Sequence, residues 1–175
     1  KKAPMKPGDS KTMSLVKSLL VFCVATAALA GSAQLKTGDA FPDLTKFKLE
    51  GQLPDSLAGK IVIVDFWASW CSPCKASFPV LDELQKTYGD KIVVIGVNVD
   101  EKRAEMDGFL KQHAAIFTIV RDADKQLVAM ANINTMPTSF VIDGAGKVRS
   151  IHNGFHGDAT KKQYITEIDE LLKAK

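Results

Sequence analysis

At 175 residues the chain is long enough for one domain with a real core, and 46% hydrophobic with 25% charged residues is the make-up of an ordinary globular protein. The net charge of +3 comes from the first 33 residues, which carry Lys1, Lys2, Lys6, Lys11 and Lys17 against Asp9 alone; the 18 basic and 19 acidic residues beyond them nearly cancel. A body this close to neutral argues against nucleic acid or another polyanion as partner.

Residues 1–33 read as a leader ahead of a single domain over residues 34–175. From Met13, MSLVKSLLVFCVATAALAGSAQ has a basic start, an apolar run from Leu19 to Ala30, and small residues at ALA and GSA. Those are the three parts of a secretory signal peptide, with cleavage after Ala30 or Ala33, and they predict an exported, periplasmic protein. The strongly apolar part is shorter than the roughly 20 residues a membrane span prefers. Residues 18–35 are nevertheless free of charge, so an uncut inner-membrane anchor is the alternative. Cys23 lies mid-run behind the bulky Phe22, unlike a lipid-modified cysteine.

FKLEGQLPDSLAGK (47–60) suggests a short hairpin turning at Glu50-Gly51. IVIVDF (61–66) is a continuous, β-branched apolar run, the signature of a central buried strand. Phe78, Leu81, Leu84 and Tyr88 then fall at helical spacing up to Gly89. KIVVIGVNVD (91–100) predicts a second buried strand, 101–113 a helix, FTIV (117–120) a short strand and 125–132 a short helix. TSFVID (138–143) and KVRSIHN (147–153) form a hairpin through DGAG. Asp158 or Thr160 is expected to cap a last helix with Tyr164, Ile165, Ile168, Leu171 and Leu172 on its apolar face. This order predicts an α/β sandwich around a mixed sheet.

The chemistry centres on WCSPCK (70–75), directly behind the first buried strand. Once the leader is set aside, Cys71 and Cys74 are the only cysteines. A lone Cys-X-X-Cys is not a disulfide framework, so the pair is either redox chemistry or half a metal site. Zinc needs two further ligands, and His113, His152 and His156 show no matching spacing; no metal is expected. Cys71 falls at the first turn of the predicted helix, where free N–H groups and the macrodipole favour a thiolate. Cys74, three residues on, shares its face and lies within disulfide reach. Cys71 then reads as the nucleophile and Cys74 as the resolving thiol, the dithiol serving as its own cofactor. Pro73 stiffens the turn, and Ser72 leaves one N–H available.

VDFWASWCSPCK resembles the active-site segment of thioredoxins, and residues 38–172 resemble the TlpA/ResA-like thioredoxin family of exported thiol–disulfide oxidoreductases. GDAFPDL with LPDSLAGKIVIVDFWASWC, the added segment from Asp100 to Asn132, and NTMPTSFVIDGAGKV all carry the likeness. It implies a thioredoxin-like fold: a central mixed β-sheet flanked by helices, an N-terminal hairpin and an extra strand–helix insert. It implies a cis peptide before Pro137, substrate hydrogen bonds from the backbone of Met136, and a docking surface that includes Trp70. Ser72, Pro73 and Gly154 join the substrate-binding set, although a glycine at a strand end also suits a turn, and Trp67 suits plain core equally well.

Asp65 interrupts an apolar strand, where a carboxyl is costly unless neutral or paired. The resemblance makes it the buried acid that assists proton transfer at Cys74, with burial raising its pKa. Two features depart from the family pattern. Ser77 stands where many relatives carry a glutamate, and Asp65 where many carry asparagine. Pro79 matches a helix-bending proline. The implied activity is reduction of disulfides in exported proteins, apocytochrome c or similar, with re-reduction by a membrane thiol donor. A disulfide oxidant or isomerase on the same fold is the alternative, ahead of a non-catalytic binding module or a peroxiredoxin.

Overall fold

The computed structural model describes residues 34–174. The leader features, Cys23 included, therefore lie outside the described residues. Among the described residues no helix is long and apolar enough to cross a membrane.

Among the described residues six strands form one sheet: β1 (Glu50–Gly51), β2 (Ile61–Trp67), β3 (Ile92–Asn98), β4 (Thr118–Arg121), β5 (Thr138–Ile142) and β6 (Val148–Asn153), in the order β1-β4-β3-β2-β5-β6. The helices are α1 (Ser72–Tyr88), α2 (Arg103–Gln112), α3 (Gln126–Met130) and α4 (Asp158–Lys173). All seven residues of β2 and of β3 are buried, as the unbroken apolar runs require of strands covered on both faces. β2 pairs parallel with β3 through the α1 crossover, and β3 parallel with β4 through α2. β5 joins the other side of β2 antiparallel, and β6 returns beside it.

Strand alternation sorts the core into two layers. Ile61, Ile63 and Trp67 of β2 pack with Cys71, Cys74 and Phe78 of the cysteine segment, Phe109 of α2 and Tyr164 and Ile168 of α4. Val62, Val64 and Phe66 face the opposite layer, closed by Leu127 of α3 and by Phe41, Leu44, Phe47 and Leu49 of the N-terminal arm.

Two local expectations give way. Glu50-Gly51 is not a hairpin turn: it is an edge strand, antiparallel to Arg121 and Val120. Gly51 is needed there because a Cβ would stand 2.8 Å from the Ile119 carbonyl oxygen and its φ is +124°. Arg121 locks the edge through Nε and Nη2 to the two carboxylate oxygens of Glu50, at 2.9 and 2.8 Å, and this holds the Glu50 carboxyl below its ordinary pKa. Nor do Asp158 and Thr160 cap α4. Gly157 occupies the cap at φ +61°, Asp158 begins the helix, and Thr160 Oγ1 accepts the His156 N–H at 3.0 Å. The DGAG hairpin forms as expected, with Asp143 Oδ1 accepting the Ala145 and Lys147 N–H groups.

In mid-sheet, a Cβ on Gly96 would meet Ile119 Cδ1 and Phe117 Cε2 at 2.9 Å and Trp67 Nε1 at 3.1 Å. The indole is itself wedged between the rings of Phe78 and Phe109. Gly96→Ala is expected to lower stability by about 1–3 kcal/mol through overpacking. Urea unfolding measures it, and an unchanged midpoint would mean that the aromatic cluster yields freely.

Candidate active site

β2 ends at Trp67, and the next four residues are pinned before the helix begins. Ser69 N–H donates to both carboxylate oxygens of Asp100, at 3.0 and 3.1 Å, and Cys71 N–H donates to Ala68 O at 3.1 Å. Asp100 also accepts from Asn98 Nδ2 at 2.8 Å. The backbone around it is held by Lys125 Nζ on Val99 O and Asp100 O, and by Arg121 Nη1 on Asp100 O and Glu101 O. The end of β3 thus fixes where the cysteine segment leaves the sheet.

Cys71 is the N-cap of α1, and its Sγ accepts the Cys74 N–H at 3.1 Å. A sulfur in that position sees one of the helix's free donors and the positive end of its dipole. Cys71 and Cys74 are joined as a disulfide with Cα atoms 5.3 Å apart. Both are buried, whereas Trp70 beside them is 71% exposed and Ser72 and Pro73 are exposed at the start of α1. Trp67 belongs to the core, fully buried among Phe78 and Phe109. Ser77 is buried and its hydroxyl donates to Cys74 O at 2.9 Å. α1 continues through the exposed Pro79, where water can replace the lost backbone donor.

Asp65 sits at the centre of β2 with no exposed surface, on the sheet face that the cysteines cover. Burial pushes its carboxyl up to about 7, opposed by one hydrogen bond, from Ser139 Oγ to Oδ1 at 2.6 Å. Oδ2 has no partner among the described residues. Ser139 lies directly opposite Asp65 on β5 and receives the Tyr164 hydroxyl at 2.6 Å. Sequence reasoning missed both. Ser139 interrupts an apolar strand just as Asp65 does, and that was the available signal; which residue faces which depends on register.

The Met136-Pro137 peptide is cis. Met136 is half-buried against both core layers, and Pro137 is buried. Gly154, at φ +83°, donates its N–H to Pro137 O at 2.7 Å, so the end of β6 braces the proline turn. A Cβ there would meet only the His156 ring, so the positive φ, and not crowding, is what favours glycine. Pairing of Phe66 with Thr138 and of Thr138 with Asn153 brings these segments to the same end of the sheet as the cysteines.

Residues 59–148 match the profile of the family described as thioredoxin-like. The chain is 29% identical over 153 residues to the thiol-disulfide oxidoreductase ResA of Bacillus subtilis, covering 85% of each chain. It is 32% identical over 141 residues to the thioredoxin-like protein YneN of the same organism, covering 77% of this chain and 80% of that one. A solved Chlorobium tepidum structure bearing the name thiol:disulfide interchange protein DsbE superposes with a TM-score of 0.72 at 38% identity, over 79% of this chain and 99% of that one.

Asp65 stays protonated in the fold up to about pH 7, while in the unfolded chain it ionises near 3.8. Its folded pKa is raised, so its contribution to stability falls as pH rises from the lower value to the upper and stays low above it. Oxidised Asp65→Asn is expected to exceed the wild type by on the order of 2–4 kcal/mol at about pH 8, with the gain gone at about pH 4. Urea unfolding at both pH values measures the difference, and a gain independent of pH would contradict a protonated, buried Asp65.

Proposed function

This chain belongs to the thioredoxin-like family, as a thiol–disulfide oxidoreductase of the ResA type, and from that premise we propose that it reduces protein disulfides in the cell envelope. The observation that carries the reading is the cysteine pair at the start of α1, set between an exposed Trp70 and a buried, half-satisfied Asp65.

The reduced protein acts through Cys71. Its thiolate attacks one sulfur of the substrate disulfide, forming a mixed disulfide and expelling the other sulfur as a thiolate. Asp65, poised to ionise near neutrality, takes the proton of Cys74. The Cys74 thiolate then attacks Cys71 Sγ, releasing the second substrate thiolate and closing the Cys71–Cys74 disulfide. Two electrons have passed to the substrate, and a membrane thiol donor must return them, because an exported dithiol is otherwise oxidised. Trp70, Ser72 and Pro73 form the contact surface. Met136, ahead of the cis Pro137, pairs with an extended substrate segment in the manner of an added strand, and Gly154 leaves room for it.

Direction is supported by how few hydrogen bonds add to the helix dipole in favouring the Cys71 thiolate. Among the described residues the Cys74 N–H is the sole hydrogen-bond donor to Cys71 Sγ, and the sulfur is buried in an apolar cluster. Strong oxidants of this fold owe their potential to a stabilised reduced form, and a single donor supplies little of that. The leader of residues 1–33 supports export, and apocytochrome c is the substrate class that the family resemblance suggests.

The Cys71/Cys74 couple is expected to have a reduction potential near or below roughly −270 mV, and a value near −120 mV would make the protein an oxidant. In an insulin reduction assay Cys71→Ser abolishes turnover and Cys74→Ser accumulates mixed disulfide. Normal turnover by Cys74→Ser would overturn the assigned roles, and none by the wild type would overturn the enzyme itself.

A further inference from the structure

Resting on the Asp65 reading above, we propose that Ser139 and Tyr164 are positioning residues: their hydroxyls form a chain that commits Asp65 Oδ1 as an acceptor and leaves Oδ2 as the atom that exchanges the proton with Cys74. The geometry is a directed series. Tyr164 O–H donates to Ser139 Oγ at 2.6 Å, and Ser139 O–H donates to Asp65 Oδ1 at 2.6 Å. A serine hydroxyl has one proton and rotates to suit its surroundings. Occupied on one lone pair by Tyr164, it has its proton directed to Oδ1, and each bond polarises the next. An Asp carboxyl otherwise turns freely about a broad, nearly two-fold torsion, which would let its oxygens trade places. Here one oxygen is tied and the other has no partner among the described residues, so protonation falls on Oδ2.

The far end of the chain is itself anchored. The Tyr164 ring lies against His152 with centroids 4.6 Å apart. His152 Nε2 pairs with Glu167 Oε2 at 2.9 Å, which also accepts the Ser150 hydroxyl at 2.6 Å. For Glu167 burial is the largest influence and acts upward, yet hydrogen bonds from His152 and Ser150 bring its carboxyl below the ordinary value. Burial, then the nearby Asp65 carboxylate, keeps the Tyr164 phenol above its usual pKa, so it remains a donor. Among the described residues, Tyr164 from α4 is the titratable group that interacts with Asp65, and Cys71 and Cys74 on the α1 side join it once the disulfide is reduced; Gly96 lies across from it on β3 and Ser139 on β5. Glu167 and His152 stand behind Tyr164. In the exchange step the Cys74 S–H bond breaks and the proton joins ionised Oδ2, while both hydroxyl bonds persist and neither hydroxyl loses its own proton.

Carboxyl-carbon NMR of the oxidised protein reads the Asp65 titration without interference from the thiols, and the pH limb of insulin reduction reads its effect on exchange. Ser139→Ala removes the bond that favours the carboxylate and is expected to raise the Asp65 midpoint by about one pH unit, with about tenfold less ionised Asp65 below it. Tyr164→Phe, which keeps the ring on His152, is expected to shift it the same way by less. Ser139→Thr, which keeps a hydroxyl, is expected to restore it. If Ser139→Ala and Tyr164→Phe leave the midpoint and the limb in place while Asp65→Asn abolishes the limb, the hydroxyl chain is overturned and the Asp65 role stands. If Asp65→Asn retains the limb, both fall.

Discussion

Everything at the site depends on how β2 is paired. Its last residue, Trp67, lies beside Asn98 at the end of parallel β3, and Phe66 lies beside Thr138 at the beginning of antiparallel β5, which in turn pairs with Asn153 at the end of β6. A strand that runs parallel to one neighbour and antiparallel to the other gathers the exits of β2, β3 and β6 and the start of β5 at one end of the sheet. The cysteine loop, the Asp100 brace, the proline turn and Gly154 meet there for that reason alone. The same register decides which face Asp65 occupies. A slip of one residue would turn it away from the cysteines and face Ile63 and Trp67 into the wrong layer.

Within this frame two buried aspartates are held in opposite ways, and their hydrogen bonds tell them apart. Asp100 takes the Ser69 N–H on both oxygens and the Asn98 amide on one, and it is tied into a loop whose carbonyls face Lys125 and Arg121. A carboxylate so supplied is a structural clamp. Asp65 has one hydroxyl on one oxygen and nothing on the other. Burial opposed by only that one bond is what carries its pKa to about 7, into the range where a group can both take and give a proton. The cost to stability and the capacity for chemistry are the same fact. On the proposed reading, a hydrophobic residue in the middle of β2 would make a firmer sheet and a poorer exchange site.

Much of this was legible in the sequence because it is local. Seven consecutive positions, all apolar or aromatic except Asp65, announce a central strand, and a Cys-X-X-Cys immediately behind it sits at a helix start by simple continuation. DGAG carries its own turn chemistry. What failed was non-local. Glu50-Gly51 looks like a turn because glycine is common in turns, but here it relieves a close approach to β4, a strand about seventy residues further along. Tyr164 belongs to the apolar face of α4, as its spacing implies; only the pairing of Asp65 with Ser139 reveals where its hydroxyl is directed. Asp100 was visible as the last residue of an apolar run, but the N–H it holds belongs to a loop thirty-one residues earlier.

On the proposed reading the acid lies in the sheet and not in α1, and the packing of α1 is consistent with that. In α1, Ser77 is buried one turn beyond Cys74, with its hydroxyl turned back onto the Cys74 carbonyl. A glutamate there would have to bury a longer charged side chain beside Cys74 or displace the neighbouring core. With serine at that position the site is buried without a charge, and on the proposed reading the acid comes from the sheet beneath. A residue on a fully buried central strand is held by backbone pairing on both sides, so the place of Asp65 beneath the helix is set by the sheet. On the proposed reading, proton transfer and partner choice are thereby separated: the first is fixed inside the sheet by Asp65, and the second is left to Trp70, Met136 and the start of α1 at the surface.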